Sequence, residues 1–230
     1  NCLIERIVMN NTNVVNDCSN QTVNYSTFSE RLRPRNFDEL LIADSVIEKL
    51  KKMIQTEDVM NMIFYGSPGT GKTTCARLIG NAPNFQMLYL NASLTNSIDD
   101  IRKKVEQYAT SISLYSEKKI VLLDESDYLS NSAQASLRAL IENTISNCRF
   151  ILTANVLSKI QDPLKSRCRP FCFDVPFESL NKNIAKLLRT IRSRLSELNV
   201  EFDEKRLTQI VNLKFPDYRS IANEVEFEFL

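Results

Sequence analysis

Two rhythms of apolar and polar residues run along the chain. The first is a series of short, unbroken apolar runs: Met62–Tyr65, Met87–Leu90, Ile120–Leu123, Phe150–Thr153 and Phe171–Phe173. Runs this short predict strands, and runs apolar at consecutive positions predict strands covered on both faces. Between them lie stretches with helical spacing. Val46, Ile47, Leu50, Met53 and Ile54 fall on one face of Ser45–Ile54, and Ile98–Tyr108 and Ser132–Ile145 follow the same period. Strands alternating with helices predict an α/β fold, a parallel sheet flanked by helices. After Pro176 only the helical rhythm remains. One stripe joins Ile184, Leu187, Leu188, Ile191, Leu195 and Leu198; a second holds Leu207, Ile210 and Val211; a third spans Ile221–Phe229. The pattern divides the chain into a tail (1–28), an α/β domain (29–175) and a small all-α domain (176–230). Residues 1–28 are rich in Asn, Thr, Ser and Val without any period and read as a mobile tail, with Met9 a candidate start. Pro34 breaks structure ahead of the α/β domain, and Asp38 is the expected helix cap.

Glycine changes the picture most. The chain holds 4 Gly, and three of them stand in G-S-P-G-T-G-K-T, Gly66–Thr73, directly after the first apolar run. A strand, a glycine turn and then helix formers are the context in which this motif cradles phosphate. Glycines let backbone N–H groups close around phosphate oxygens, and the following helix adds its positive end. The candidate nucleotide-binding residues are Gly66, Ser67, Pro68, Gly69, Thr70, Gly71, Lys72, Thr73 and Thr74. Lys72 supplies a point charge and Thr73 a hydroxyl for Mg²⁺. The third strand ends in Asp124-Glu125, and ligands of open α/β sheets sit beyond such strand ends. Asp124 is the expected Mg²⁺ carboxylate. Glu125 is the expected base for the attacking water, because the chain has no histidine to serve instead. Asn155, closing the fourth strand, fits either a turn or a group that orients water. Arg167, on a loop after Asp162-Pro163, fits either a surface charge or an arginine finger.

Composition narrows the class further. Net charge is +1 over 230 residues, so nucleic-acid binding needs a local patch rather than a general basic field. The absence of His excludes histidine triads and histidine metal sites. Among six cysteines only Cys168 and Cys172 are close, which makes no zinc site and argues for a reducing compartment. No apolar run approaches the length of a membrane span and no signal-peptide pattern opens the chain, so N-x-[ST] matches such as Asn20-Gln21-Thr22 read as chance.

Taken in order, the phosphate loop, L-L-D-E-S-D (Leu122–Asp127), L-T-A-N (Leu152–Asn155) and S-R-C (Ser166–Cys168) resemble the AAA+ clamp-loader ATPases. The likeness is to replication factor C small subunits and the large clamp-loader subunit of tailed phages. R-P-R-N-F-D-E-L (Arg33–Leu40) resembles the adenine-side segment, L-N-A-S (Leu90–Ser93) with Ile101-Arg102 the DNA-facing elements, A-Q-A-S-L-R-A-L-I-E (Ala133–Glu142) the helix after the third strand, and F-P-D-Y-R (Phe215–Arg219) the start of a lid helix. The resemblance implies Asn155 as sensor 1, Arg167 as a finger acting in trans, Arg219 as sensor 2, and Arg33, Pro34, Leu41 and Ile42 around the base. It implies DNA contacts at Arg102 and at Arg138, the latter matching a coupler between DNA and the ATP site. It further implies ATP and Mg²⁺ as cofactors, a sliding clamp, primer–template DNA and other subunits of a pentameric ring as partners, no membrane, and an intracellular setting: cytoplasmic, in an infected bacterium if phage-encoded, or nuclear. Leu40–Ala43 and Leu94–Ser97 depart from the cellular pattern at the base and at a DNA phosphate, and the family's collar domain is not found before Leu230. A non-hydrolysing structural subunit and another AAA+ machine, such as an initiator or helicase loader, are the competing functions.

Overall fold

A computed structural model of the chain describes residues 28–94, 98–111 and 118–230. Five parallel strands, β1 (Met62–Tyr65), β2 (Phe85–Asn91), β3 (Lys118–Asp124), β4 (Cys148–Ala154) and β5 (Arg169–Cys172), form one sheet in the order β2-β3-β4-β1-β5. The alternation hidden in the apolar runs now appears. Val121, Leu123, Phe150 and Leu152 enter one core, while Ile120, Leu122 and Ile151 enter the other. Helices α4 (Ile98–Thr110) and α5 (Asn131–Thr144) cover the first face through Ile101, Val105, Leu137 and Ile141; α2 (Asp44–Gln55) and α3 (Lys72–Gly80) cover the second through Ile47, Leu50, Ala76 and Ile79. Successive strand residues point to opposite faces, so a sheet buried on both sides needs apolar side chains at every position.

A short helix α6 (Asp162–Lys165) leads into β5, and α7 (Leu180–Glu197), α8 (Glu204–Lys214) and α9 (Tyr218–Phe229) pack into a third cluster around Leu187, Ile191, Leu207, Val211 and Ile221. Here two expectations are corrected. Phe28, assigned to the tail, begins a helical turn, α1 (Phe28–Arg31), and is buried with Leu32 in this third cluster; its N–H donates to Glu226 Oε1 at 3.1 Å. One aromatic residue at the edge of a polar stretch gives no period, yet it covers the lid core. Asp38 caps no helix. Asn36 accepts from the Glu39 N–H at the turn Phe37–Glu39, Asp38 pairs with Lys51 Nζ at 2.6 Å, and α2 starts after Ala43 with no side-chain cap. Positions 1–27 and 95–97, the latter part of the Leu94–Ser97 departure, lie outside the described residues. Among the described residues no helix is long and apolar enough to cross a membrane.

Candidate nucleotide site

Because β4 lies between β3 and β1, the carboxyl ends of three neighbouring strands bring together the phosphate loop, Asp124 and Asn155. They open on a cleft of about 330 Å³, closed on the far side by Tyr218 and Arg219 from the start of α9. Gly69 and Gly71 take φ of 75° and 91°, a region that favours glycine. Gly69 has a second reason to lack a side chain: a Cβ there would meet the Asp217 carboxylate. The Tyr218 N–H donates to Gly69 O at 3.2 Å, so the lid touches the loop directly.

Lys72, only 8% exposed, donates to Gly66 O and Ser67 O at 2.7 and 2.8 Å. Burial lowers its pKa below the ordinary lysine value, opposed by Asp174, Asp127 and Asp124. Gly66 and Ser67 do not line the cleft, and the Ser67 N–H donates to Asp174 Oδ1 at 2.7 Å. Pro68, Thr70, Thr73 and Thr74 do line it.

Asp124 is held by three hydroxyls. Thr73 Oγ1 and Thr153 Oγ1 donate to its Oδ1 at 2.8 and 2.5 Å, and Tyr89 Oη donates to its Oδ2 at 3.2 Å. Thr153 Oγ1 also accepts from the Glu125 N–H at 3.0 Å, and Glu125 stands at a φ of 57° with its residue lining the cleft. A non-glycine residue in this region is held there by its surroundings, and that hydrogen bond is one such restraint. Asn155 lines the cleft beside Glu125, and its N–H donates to Asp127 Oδ2 at 3.1 Å. Thr153 and Tyr89 were not foreseen. Both sit in strands read as plain apolar runs, and the one signal was a hydroxyl inside such a run. Arg77 completes this wall, its guanidinium 4.9 Å from the Tyr89 ring centroid.

Arg33, Pro34 and Leu41 also line the cleft, and Arg33 pairs with Glu30 at 2.6 Å. Ile42 is corrected: it is 2% exposed within the core against the second sheet face and does not reach the cleft. Leu41 turns toward the lid core instead, so the extended segment alternates its contacts.

The remaining arginines lie away from the cleft. Arg167 does not line it; Nε donates to Glu142 Oε1 at 2.7 Å and Nη1 to Pro163 O at 2.8 Å. Arg138 faces the same Glu142 oxygen at 3.6 Å, and Arg102 pairs with Glu106 at 2.8 Å. Among the described residues no group of three Cys, Asp or Glu could cage a metal. A single carboxylate and a threonine hydroxyl suit Mg²⁺, which keeps several waters and binds with substrate phosphates.

Strand order, glycine loop and paired acidic strand end are those of the AAA+ fold. Residues 62–174 match the model of the ATPase family associated with various cellular activities (AAA). The Thermotoga maritima RuvB Holliday junction branch migration motor shares the fold at a TM-score of 0.63 and 20% identity, covering 85% of this chain and 64% of that one. Sequence kinship is narrower. The chain is 32% identical to the Archaeoglobus fulgidus replication factor C small subunit over 88% of its length and 37% identical to that of Staphylothermus marinus over 85%. It spans 64% and 60% of those relatives, under two thirds of their length.

Proposed function

We propose that this chain is the ATP-hydrolysing subunit of a clamp loader, acting with a sliding clamp and primer–template DNA beside other subunits in a pentameric ring. The observation that carries the reading is the arrangement around Asp124, where Thr73 from the phosphate loop and Thr153 from β4 share one carboxylate oxygen. That puts the hydroxyl and carboxylate needed for Mg²⁺ together, within a chain related to replication factor C small subunits.

In this reading ATP lies with its base against Arg33, Pro34 and Leu41 and its phosphates over Pro68–Thr74. The metal would neutralise charge between the outer phosphates. Lys72 exchanges the loop carbonyls for phosphate oxygens, since an ammonium gains more from an anion than from two neutral acceptors. Glu125 takes the proton of the attacking water, Asn155 orients that water, and Arg219 follows the phosphates as the lid closes. Arg167, turned from its own cleft, stabilises charge at a neighbour's γ-phosphate. Arg102 and Arg138 meet DNA phosphates. The α/β part (29–175) and the helical lid (176–230) move against each other, with Phe28–Leu32 riding on the lid. The protein works where DNA is replicated, in cytoplasm or nucleus.

The carboxylate of Glu125 at the cleft speaks against a purely structural subunit, and kinship to clamp-loader small subunits against another AAA+ machine. The test is ATP turnover with and without primed DNA and clamp. Wild type should be stimulated by the two together, and Glu125→Gln should bind ATP normally yet turn over at least a hundredfold more slowly. Unstimulated turnover, or wild-type rates in Glu125→Gln, would overturn the assignment.

A further inference from the structure

The Arg167 guanidinium is bound on three sides by its own chain. Nε and Nη2 both meet Glu142 Oε1, and Nη1 donates to Pro163 O and Ser166 Oγ at 2.8 and 3.2 Å. These contacts occupy most of the five N–H groups an arginine carries. Pro163 and Ser166 belong to the same short segment as Arg167. Glu142 does not: it lies on α5, 25 positions earlier, and is the one acidic partner among the described residues. Arg138, one helical turn before Glu142, approaches the same oxygen at 3.6 Å. Glu142 holds its carboxylate below the usual range because Arg167 donates to it, with Arg138 adding to the effect.

We propose that Glu142 is a positioning residue for Arg167: it holds the guanidinium at a set place on the rim so that the finger is ordered before a neighbouring subunit arrives. This rests on the reading of Arg167 as a trans finger. An arginine on a loop has many rotamers, and a rate effect from charge placement demands that most of them be removed beforehand. Glu142 does so from a helix anchored in the sheet core by Leu137, Leu140 and Ile141, which ties the loop to the rigid part of the domain. Its carboxylate is shared with Arg138. A DNA phosphate that draws Arg138 away leaves Glu142 to Arg167 alone, so the finger is held more firmly when DNA is bound.

The test has two arms. In the first, the arginine Nε–H resonances of the ¹⁵N-labelled chain are recorded. The Arg167 signal, assigned by its loss in Arg167→Ala, should be protected from exchange in wild type, lost in Glu142→Ala, and partly regained in Glu142→Gln, whose amide oxygen still accepts. In the second, ATP turnover is measured in a reconstituted clamp-loader complex carrying this chain. Glu142→Ala should lower kcat about tenfold with KM for ATP unchanged, and Glu142→Gln should recover part of the loss. Persistence of the protected signal in Glu142→Ala overturns the proposal. So does an unchanged kcat in Glu142→Ala where Arg167→Ala is inactive. If Arg167→Ala itself turns over normally, it is the finger reading that fails, and the resonance arm still decides whether Glu142 holds the side chain.

Discussion

The carboxyl edge of the sheet and the arginine-bearing rim differ in how their charges are kept. At the sheet edge Asp124 is buried and fixed by three hydroxyls from three elements, and Lys72 is buried on two loop carbonyls. At the rim Arg167, Arg138 and Arg102 are half-buried or exposed, each against a carboxylate on a helix. Buried groups need their partners within the fold, because an unpaired polar group away from water costs free energy. Exposed ion pairs cost little to break, since water and salt compete with them. The edge is therefore assembled in the single chain, whereas at the rim Arg102 and Arg138 can exchange an internal carboxylate for an external phosphate.

The largest effect expected from breaking this contrast is at Lys72. Lys72→Ala removes the buried cation of the loop, and calorimetric titration should find tight ATP binding abolished; retained affinity would remove Lys72 from the phosphate site. Next comes the rim. Arg167→Ala should leave the isolated chain's ATP affinity unchanged and reduce turnover on the order of a thousandfold only in the assembled complex. An equal loss in the isolated chain would place the arginine with the edge and dissolve the distinction.

A third substitution sharpens the edge itself. Thr153→Val keeps the shape of the side chain but deprives Asp124 Oδ1 of a donor and the Glu125 N–H of its acceptor. Denaturant unfolding should show a loss of about 1–3 kcal/mol from the groups left unpaired, accompanied by a higher Mg²⁺ requirement for turnover. Unaltered stability and Mg²⁺ dependence would mean that Asp124 is held without it. The smallest effect belongs to the outermost charges. Arg102→Ala and Arg138→Ala should each flatten the salt dependence of DNA binding by roughly one unit of slope. Two unchanged slopes would leave these arginines as helix surface charges.

Much of this was legible from the order of residues. A strand buried on both faces must be apolar throughout, and an amphipathic helix must repeat its stripe, so the parallel sheet and its covering helices could be read directly. Gly66–Thr73 carries its meaning locally, because a loop that approaches phosphate through its backbone must be made of adjacent residues. Asp124 and Glu125 were marked by their position at a strand end. What escaped were contacts between residues far apart in the chain that no motif marked. Thr153 and Tyr89 became partners of Asp124 only when β4 and β2 were laid on either side of β3. Ile42 was withdrawn from the base because the segment's alternation turned it into the core beneath the sheet, and Phe28 joined the lid because α9 was there to receive it. Glu142 met Arg167 because α5 and the loop before β5 converge on one corner of the fold. Periodicity and turn chemistry are properties of neighbours along the chain and are written in the sequence. Hydrogen bonds across the sheet and ion pairs between helix and loop depend on which faces meet, and that was decided by the packing of both sheet faces and the lid.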